Sequence, residues 1–502
     1  MIGRLLEAVG LARAPRATAG APLRTELARR KAWSALASYD ATSTDGANSA
    51  HWAQADGLAA WAANAPGVRE TLRNRARYEV ANSSLAAGII STLADDAIGT
   101  GPYLSVNTGD RAADQSIERA FAAWANEVGL VEKLRTMRRA KAVDGETFAI
   151  LETNDRLEAV SLDLRLVEAD QVATPDLPAS DPRRIDGVHL DALGDARQFD
   201  VLRVHPGDDR AHGQQTEYET LPADRVIHVA HRTRPGEVRG VPELTPALSL
   251  FALLRRYTLA SVLSAEIAAK ISGVLESQTP EGDAAELDPL DSFELEPGSI
   301  PAMPEGWKLA AFKGEQPTTT FGEFRRHLVN EIGRCFNMPA NVALGSSENM
   351  NFSSGRLDHG VYQNSLKVER ARFERLVLDR VFRAWIREAS LAIPEIPALD
   401  LSSIRHAWRW PAFPSGDPVK DAQADKVYRE LGVLSLERLY SSRFGAEWDR
   451  ELEQIARERE FARREGLEAA PGSAAGSDDS GGRDADGVAS GRSTGSESEG
   501  DE

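Results

Sequence analysis

The sequence predicts an α+β fold. Short apolar runs bounded by Asp, Pro and Gly gather between residues 147 and 230, and long stretches of helical periodicity lie before and after them. Leu72 to Ile98, rich in Ala and Leu, reads as one helix closed by the turn Gly99-Thr-Gly-Pro102, and a second helix runs from about Asp114 to Glu127. Strands are expected at Thr147–Glu152, Val160–Val167, Phe199–Val204 and Arg225–Ala230. Thr245-Pro246 reads as an N-cap followed by proline at the first helical position. The helix it opens meets no glycine before Gly273 and is expected to reach about Leu275, about 45 Å at ~1.5 Å per residue. Residues 276–320 carry turn signals at Pro280-Glu-Gly282, Glu296-Pro-Gly298 and Pro304-Glu-Gly306, so a loop-and-strand insert follows. Phe321, Phe324, Leu328, Ile332 and Phe336 then recur at helical spacing until Pro339, and Leu366, Phe373, Val377, Val381 and Trp385 do so later. Between these two helices lies Asn341 to Arg356, a polar loop whose only charge before Arg356 is Glu348.

The chain has 502 residues, enough for two to four domains; its apolar content (42%) and charge (27%) are those of a globular protein. A net charge of -18 argues against nonspecific coating of duplex DNA, which needs a local excess of Lys and Arg. The one cysteine, Cys335, excludes a disulfide or cysteine-based zinc site within one chain, and its place beside the Phe321–Phe336 stripe predicts a small core residue. The best apolar run, Leu244 to Leu254, ends at Arg255-Arg256, so no membrane span is expected; the N-terminus does not read as a secretory signal. Arg4, Arg13, Arg16, Arg24, Arg29, Arg30 and Lys31 against Glu7 and Glu26 predict a basic flexible arm over residues 1–38. Residues 469–502 are acidic and rich in Gly, Ser and Ala, too poor in apolar surface to offset ordering entropy, and are expected to be disordered.

Patterns able to carry chemistry are few. There is no Gly-x-x-x-x-Gly-Lys-Ser/Thr phosphate cradle, no HExxH around His228 and His231, and no nucleophile elbow at Gly345-Ser-Ser, with His359 giving no triad. His228 and His231 are expected on opposite faces of a strand end. Asp144, Glu146, Asp163, Glu168 and Asp170 could be imagined as a two-metal nuclease cluster, which keeps a metal-dependent nucleic-acid enzyme as the alternative. Asp95-Asp96 reads as a solvated helix end. No cofactor is expected.

Several local patterns, in order, resemble the lambda-type bacteriophage portal (head-tail connector) family from about Tyr39 to Gly466. Arg73-Asn-Arg-Ala-Arg77 with Asn82, then Ile98-Gly-Thr-Gly101, are similar to the family's arginine-rich helix and its VGTG turn. Asp144-Gly-Glu-Thr-Phe148 resembles GE-x-F, and Arg232-Thr-Arg-Pro-Gly-Glu-Val-Arg-Gly-Val-Pro242 resembles RPGQxRGVP, with Glu237 in place of Gln. Phe352-Ser-Ser-Gly-Arg356 resembles NYSSAR, with Phe and Gly substituting. Trp410-Pro and Asp417-Pro-Val-Lys-Asp-Ala-Gln-Ala424 resemble DPxKEAxA.

The resemblance implies a non-enzymatic ring of about twelve copies at one capsid vertex, closed by head-to-tail contacts. DNA would pass through it during packaging and ejection. Its partners would be itself, double-stranded DNA, the large terminase subunit, head-completion and tail connector proteins, and the capsid and scaffold proteins. It would be assembled in the host cytoplasm and end in the virion. The implied organisation is an α+β wing over 39–243, a first stem helix over 244–275, a clip over 276–320 and a second stem helix over 321–342. A tunnel loop follows over 343–354, a channel-side long helix with a return to the wing over 355–411, and a mainly helical crown over 412–468. In that loop Ser346, Ser347, Glu348, Asn349, Met350, Asn351 and Ser353 would face DNA. They are short, flexible or repulsive, as moving duplex requires, since each fixed phosphate contact strengthens binding. Behind them Phe352 to Glu388 carries one Lys and seven Arg against five acids, and Arg356, Lys367 and Arg370 are the candidate channel-side cations.

Overall fold

The computed structural model describes residues 55–174, 181, 183–209, 217–270, 274–277, 307–310, 320–348, 351–396, 404–413 and 417–467. The basic arm, most of the 276–320 insert and the acidic tail lie outside them. The chain divides into Met1–Ala63 and Asn64–Glu502. The described part of the first unit holds one short helix, α1 (Ala60–Ala63).

The second unit opens with α2 (Pro66–Asn82) and α3 (Ser84–Ile98), where the sequence suggested one helix. Ser83 divides them. Its extended backbone ends α2, and its hydroxyl accepts from the Ala86 amide, capping α3. The expected turn follows, with Gly99 and Gly101 both at positive φ. Next come β1 (Tyr103–Asn107), α4 (Arg111–Glu127), α5 (Leu130–Asp144), β2 (Glu146–Thr153) and β3 (Leu162–Val167). Four short strands, β4 (Arg184–Ile185), β5 (Val188–Leu190), β6 (Ala196–Leu202) and β7 (Tyr218–Pro222), form an antiparallel sheet in chain order. β8 (Val226–Ala230) returns to pair with β2 on the side opposite β3, giving the order β3-β2-β8. The central strand β2 is therefore covered along its first five residues, and Glu146 enters the interior with it.

Thr245–Ala247 is a single 3-10 turn leading into α6 (Leu248–Lys270). Two expectations change here. The Thr245 hydroxyl is buried and makes no hydrogen bond, so it does not cap the helix. The described helix ends at Lys270, and Leu275 lies in a strand, β9 (Val274–Ser277), paired with β10 (Trp307–Ala310). By length and composition Thr245–Glu266 suffices to cross a bilayer, although Arg255 and Arg256 sit at its middle. Leu253, Leu259, Val262 and Leu263 on it are exposed.

α7 (Thr320–Arg334) packs beside α6 through Phe321 and Phe324, whose rings lie 5.5 and 4.8 Å from that of Tyr257. Ile332 and Phe336 reach the main core. Cys335 follows the helix end in a turn, half-buried against that core, and burial pushes its thiol pKa up. After the short α8 (Ala340–Leu344) and the loop comes α9 (Phe352–Phe373). A five-residue π segment (Glu374–Leu378) continues into α10 (Asp379–Ala392). The predicted stripe is the spine of the core: Leu366, Phe373, Val377, Val381 and Trp385 are all buried. Trp385 meets Phe121 of α4 edge to face at 5.1 Å, so the long helix is seated on the helices that precede the sheets.

β11 (Arg405–Arg409) pairs with β1. The chain then forms α11 (Pro418–Glu430), α12 (Leu436–Phe444) and α13 (Trp448–Arg464), none of which has a buried residue. Ion pairs link them to the rest: Arg356–Asp421, Arg409–Glu437 and Arg409–Glu447, Arg111–Asp449 and Arg111–Glu453, and Arg450–Glu118.

Candidate functional site

The polar loop is shorter than the sequence suggested. Ala343 and Leu344 belong to α8 and Phe352 to Ser354 to α9, so only residues 345–351 lie between the two helices. Pro339 starts α8 and Gly345, at φ 63°, ends it in the left-handed conformation that glycine accepts without strain. The amides of Gly345 and Ser346 bond back to the carbonyls of Val342 and Asn341. Ser346, Ser347, Glu348 and Asn351 are exposed. Asn349, Met350 and the Ser353 side chain lie outside the described parts of the chain. On the far side of the loop, the Nδ2 of Asn341 donates to Nε2 of His359 at 3.0 Å.

The three candidate cations separate. Lys367 is exposed, and Arg356 is more than half-exposed with a pair to Asp421 at 3.1 Å. Arg370 is corrected from a channel-side cation to a buried strut. Its guanidinium donates to the carbonyls of Ala97 (2.8 Å), Asp96 (3.1 Å) and Pro411 (2.8 Å), and it lies over the Phe413 and Trp410 rings at 4.2 and 5.3 Å. It thus satisfies the carbonyl end of α3, where a helix dipole favours a cation. Burial lowers its pKa to about 10. Tyr362, two turns earlier, donates to Asp96 at 2.9 Å, so Asp96 is a bonded partner of α9 as well as part of a helix end. Burial raises the Asp96 pKa, and burial with the neighbouring Asp96 charge raises that of Tyr362.

The acids of the alternative reading are brought partly together, and each meets a base. Arg77 bonds Asp144 (2.7 Å) and Asp170 (2.8 Å) and pairs with Glu168 at 3.2 Å. Arg73 pairs with Asp170 at 3.3 Å. Asp163 stands apart, held by Lys133 at 2.5 Å and Asn154 at 2.9 Å. Glu168, Asp170 and His205 form the one group among the described residues with metal-ligand spacing, but Arg77 already occupies it. This guanidinium supplies the charge that a cation would.

Glu146 is the centre of the arrangement. It is fully buried, accepts from Arg239 Nε at 2.9 Å and from the Gly240 amide at 3.0 Å, and lies 3.0 Å from Nε2 of His228. Burial alone would raise its pKa; the Arg239 charge and the His228 bond override that and hold it well below the carboxylate range. Arg239 is equally buried, and its remaining donors reach the carbonyls of Val172 (2.7 Å), Ala169 (3.0 Å) and Asp186 (2.5 Å). Phe148 carries Arg239 on one face at 5.3 Å and stacks on His228 at 4.3 Å. His231 is turned elsewhere, its Nδ1 donating to the Val241 carbonyl. The arginine-rich helix, the Gly-Glu-x-Phe strand entry and the Arg-Gly-Val-Pro segment are therefore three walls of one buried ion network, which is structural. Glu237 serves a separate turn. Its carboxylate accepts the amides of Thr233 (2.5 Å) and Arg234 (3.1 Å) and so closes the chain reversal at Pro235-Gly236. A second buried set, unseen in the sequence, joins Arg138 and Lys141 of α5 to Glu243 and to Glu369 of α9.

Residues 46–370 match the family described as "Phage portal protein, lambda family". A relative from Halomonas phage phiHAP-1, described as "Probable portal protein", is 25% identical over 394 residues, covering 71% of this chain and 74% of the relative. Solved chains from particles of a gene transfer agent (GTA) are also similar. One from the neck of an empty particle has a TM-score of 0.42 at 14% identity, covering 77% of this chain and 95% of that one. Another, from the neck of a native particle, has a TM-score of 0.41 at 13% identity, covering 78% and 96%.

Proposed function

Because the chain belongs to the lambda family of phage portal proteins, we propose that about twelve copies close into a ring at one capsid vertex and that DNA enters and leaves the head through its centre. Family membership puts the chain among structural virion proteins. The observation that carries the finer reading is loop 345–351, a segment without Lys or Arg, exposed at its described residues and held between helices that are themselves anchored in the core. Such a loop comes close to a polyanion without adding phosphate contacts that would retain it. In this reading Ser346, Ser347, Glu348, Asn349, Met350, Asn351 and Ser353 border the channel, with Arg356 and Lys367 as modest attraction behind them.

The remaining assignments follow the same architecture. α6 and α7 form the stem, and the exposed apolar face of α6 packs against neighbouring copies. The segment between them is the clip that docks the large terminase subunit and later the head-completion and tail proteins. Residues 39–243 make the wing and 412–468 the crown inside the head. Scaffold and major capsid proteins contact the outer surface, and assembly takes place in the host cytoplasm before the vertex is built into the virion. Mass measurement on the purified protein tests this: a closed particle near twelve times the 54.4 kDa chain mass is expected, and a monomer under all assembly conditions would refute it.

A further inference from the structure

We propose that Asn341 and His359 are positioning residues, a clasp that closes the base of loop 345–351 and fixes how far it projects. This rests on the reading that the loop borders the channel. Asn341 holds both sides of the loop. Its carbonyl accepts the Ser346 amide at 3.0 Å at the near end, and its side chain donates to His359 at 3.0 Å beyond the far end. The other side-chain atom of Asn341, Oδ1, is buried without a hydrogen bond. That atom carries a desolvation cost, which the Nδ2 bond to His359 offsets in part. His359 in turn stands on a fixed support. One turn later Tyr362 is bonded to Asp96, and Arg370 beyond it grips the end of α3. The clasp therefore refers the loop to α3, a helix whose Ile89, Ile90, Leu93 and Ile98 are all in the core.

Hydrogen exchange of the Gly345, Ser346 and Glu348 amides, each bonded at the base of the loop, measured on the assembled particle, tests the clasp. Asn341→Ala and His359→Ala should each raise exchange there about fivefold, the factor that one ordinary net hydrogen bond is worth, and the double variant should rise no further. His359→Gln, which keeps an acceptor, should return exchange towards wild type, while amides of 379–392 stay protected throughout. Unchanged loop exchange in both single variants, or fully multiplicative effects in the double variant, would overturn the proposal. His359 is only partly buried, so its variants carry the test if Asn341→Ala fails to fold. Exchange needs no DNA. A loosened loop in a ring whose DNA retention is indifferent to charge in 345–351 would keep the clasp and refute the channel reading, and the reverse pattern would refute the clasp alone.

Discussion

A Cβ built on Gly240 lies 2.1 Å from the carbonyl oxygen of Gly145, and one built on Gly145 lies 2.3 Å from the backbone of Val241. Two chain segments, each from a different motif, thus meet backbone to backbone, and this contact delivers the Gly240 amide to Glu146. Gly240→Ala must push the segments apart. It should lower stability by about 1–3 kcal/mol or more, read as a fall in the urea midpoint. An unchanged midpoint would show that the two segments are not in contact.

The buried carboxylates set the acid limit. Glu146 and Glu243 have folded pKa values below their ordinary ones, burial being overridden by Arg239 and by Arg138 with Lys141. Their contribution is fully present above the unfolded value of about 4.3 and is lost as pH falls below it. Burial also lowers the His228 pKa, so that histidine contributes less as pH falls below its unfolded value of about 6.5. Asp144, Glu118 and Glu374 are raised chiefly by burial and act in the opposite sense. Net stability should decline from near neutrality towards pH 4 and steeply below. Glu243→Gln should flatten the lower limb, measured as the urea midpoint against pH.

Arg370 and Lys367 should behave as different classes of residue. Arg370→Lys loses the planar fork that serves three carbonyls and should cost roughly 2–4 kcal/mol. Lys367→Gln should stay within about 0.5 kcal/mol in stability. Thermal unfolding of the two variants decides it, and equal effects would mean that both side chains are solvated.

Trp385→Ala should cost roughly 3–5 kcal/mol, because the ring fills the junction of α4 and α10 against Phe121 and Phe382. Denaturant unfolding measures this directly. A cost below about 1 kcal/mol would place the long helix elsewhere.

Periodicity made the long helices and the Leu366–Trp385 stripe legible, since apolar spacing records burial. The break at Ser83 is hidden because the Ala-rich pattern continues through it, and the cap-type residues Asn82, Ser83 and Ser84 do not by themselves end a helix. The π segment at Glu374–Leu378 carries no glycine or proline to mark it. Arg356, Lys367 and Arg370 look alike as charges along one helix; what separates them is where the α3 carbonyls end, which is tertiary information. The acids at 144, 146, 163, 168 and 170 likewise have the look of a metal cluster in sequence, whereas in the fold the arginines of α2, Arg239 and Lys133 stand among them. The Asn341–His359 bond spans the loop and leaves no local trace.

DNA packaging by particles carrying Ser347→Arg with Asn349→Arg is the most direct test of the channel reading. The substitutions place two new cations per subunit around the ring, and their summed attraction to phosphate should be strongly salt-dependent. The expected result is normal assembly, packaging slowed or stopped, and DNA retention by the isolated ring that rises at low salt and falls at high salt. Normal assembly with packaging at the wild-type rate would contradict the reading, since the loop would then not face the channel.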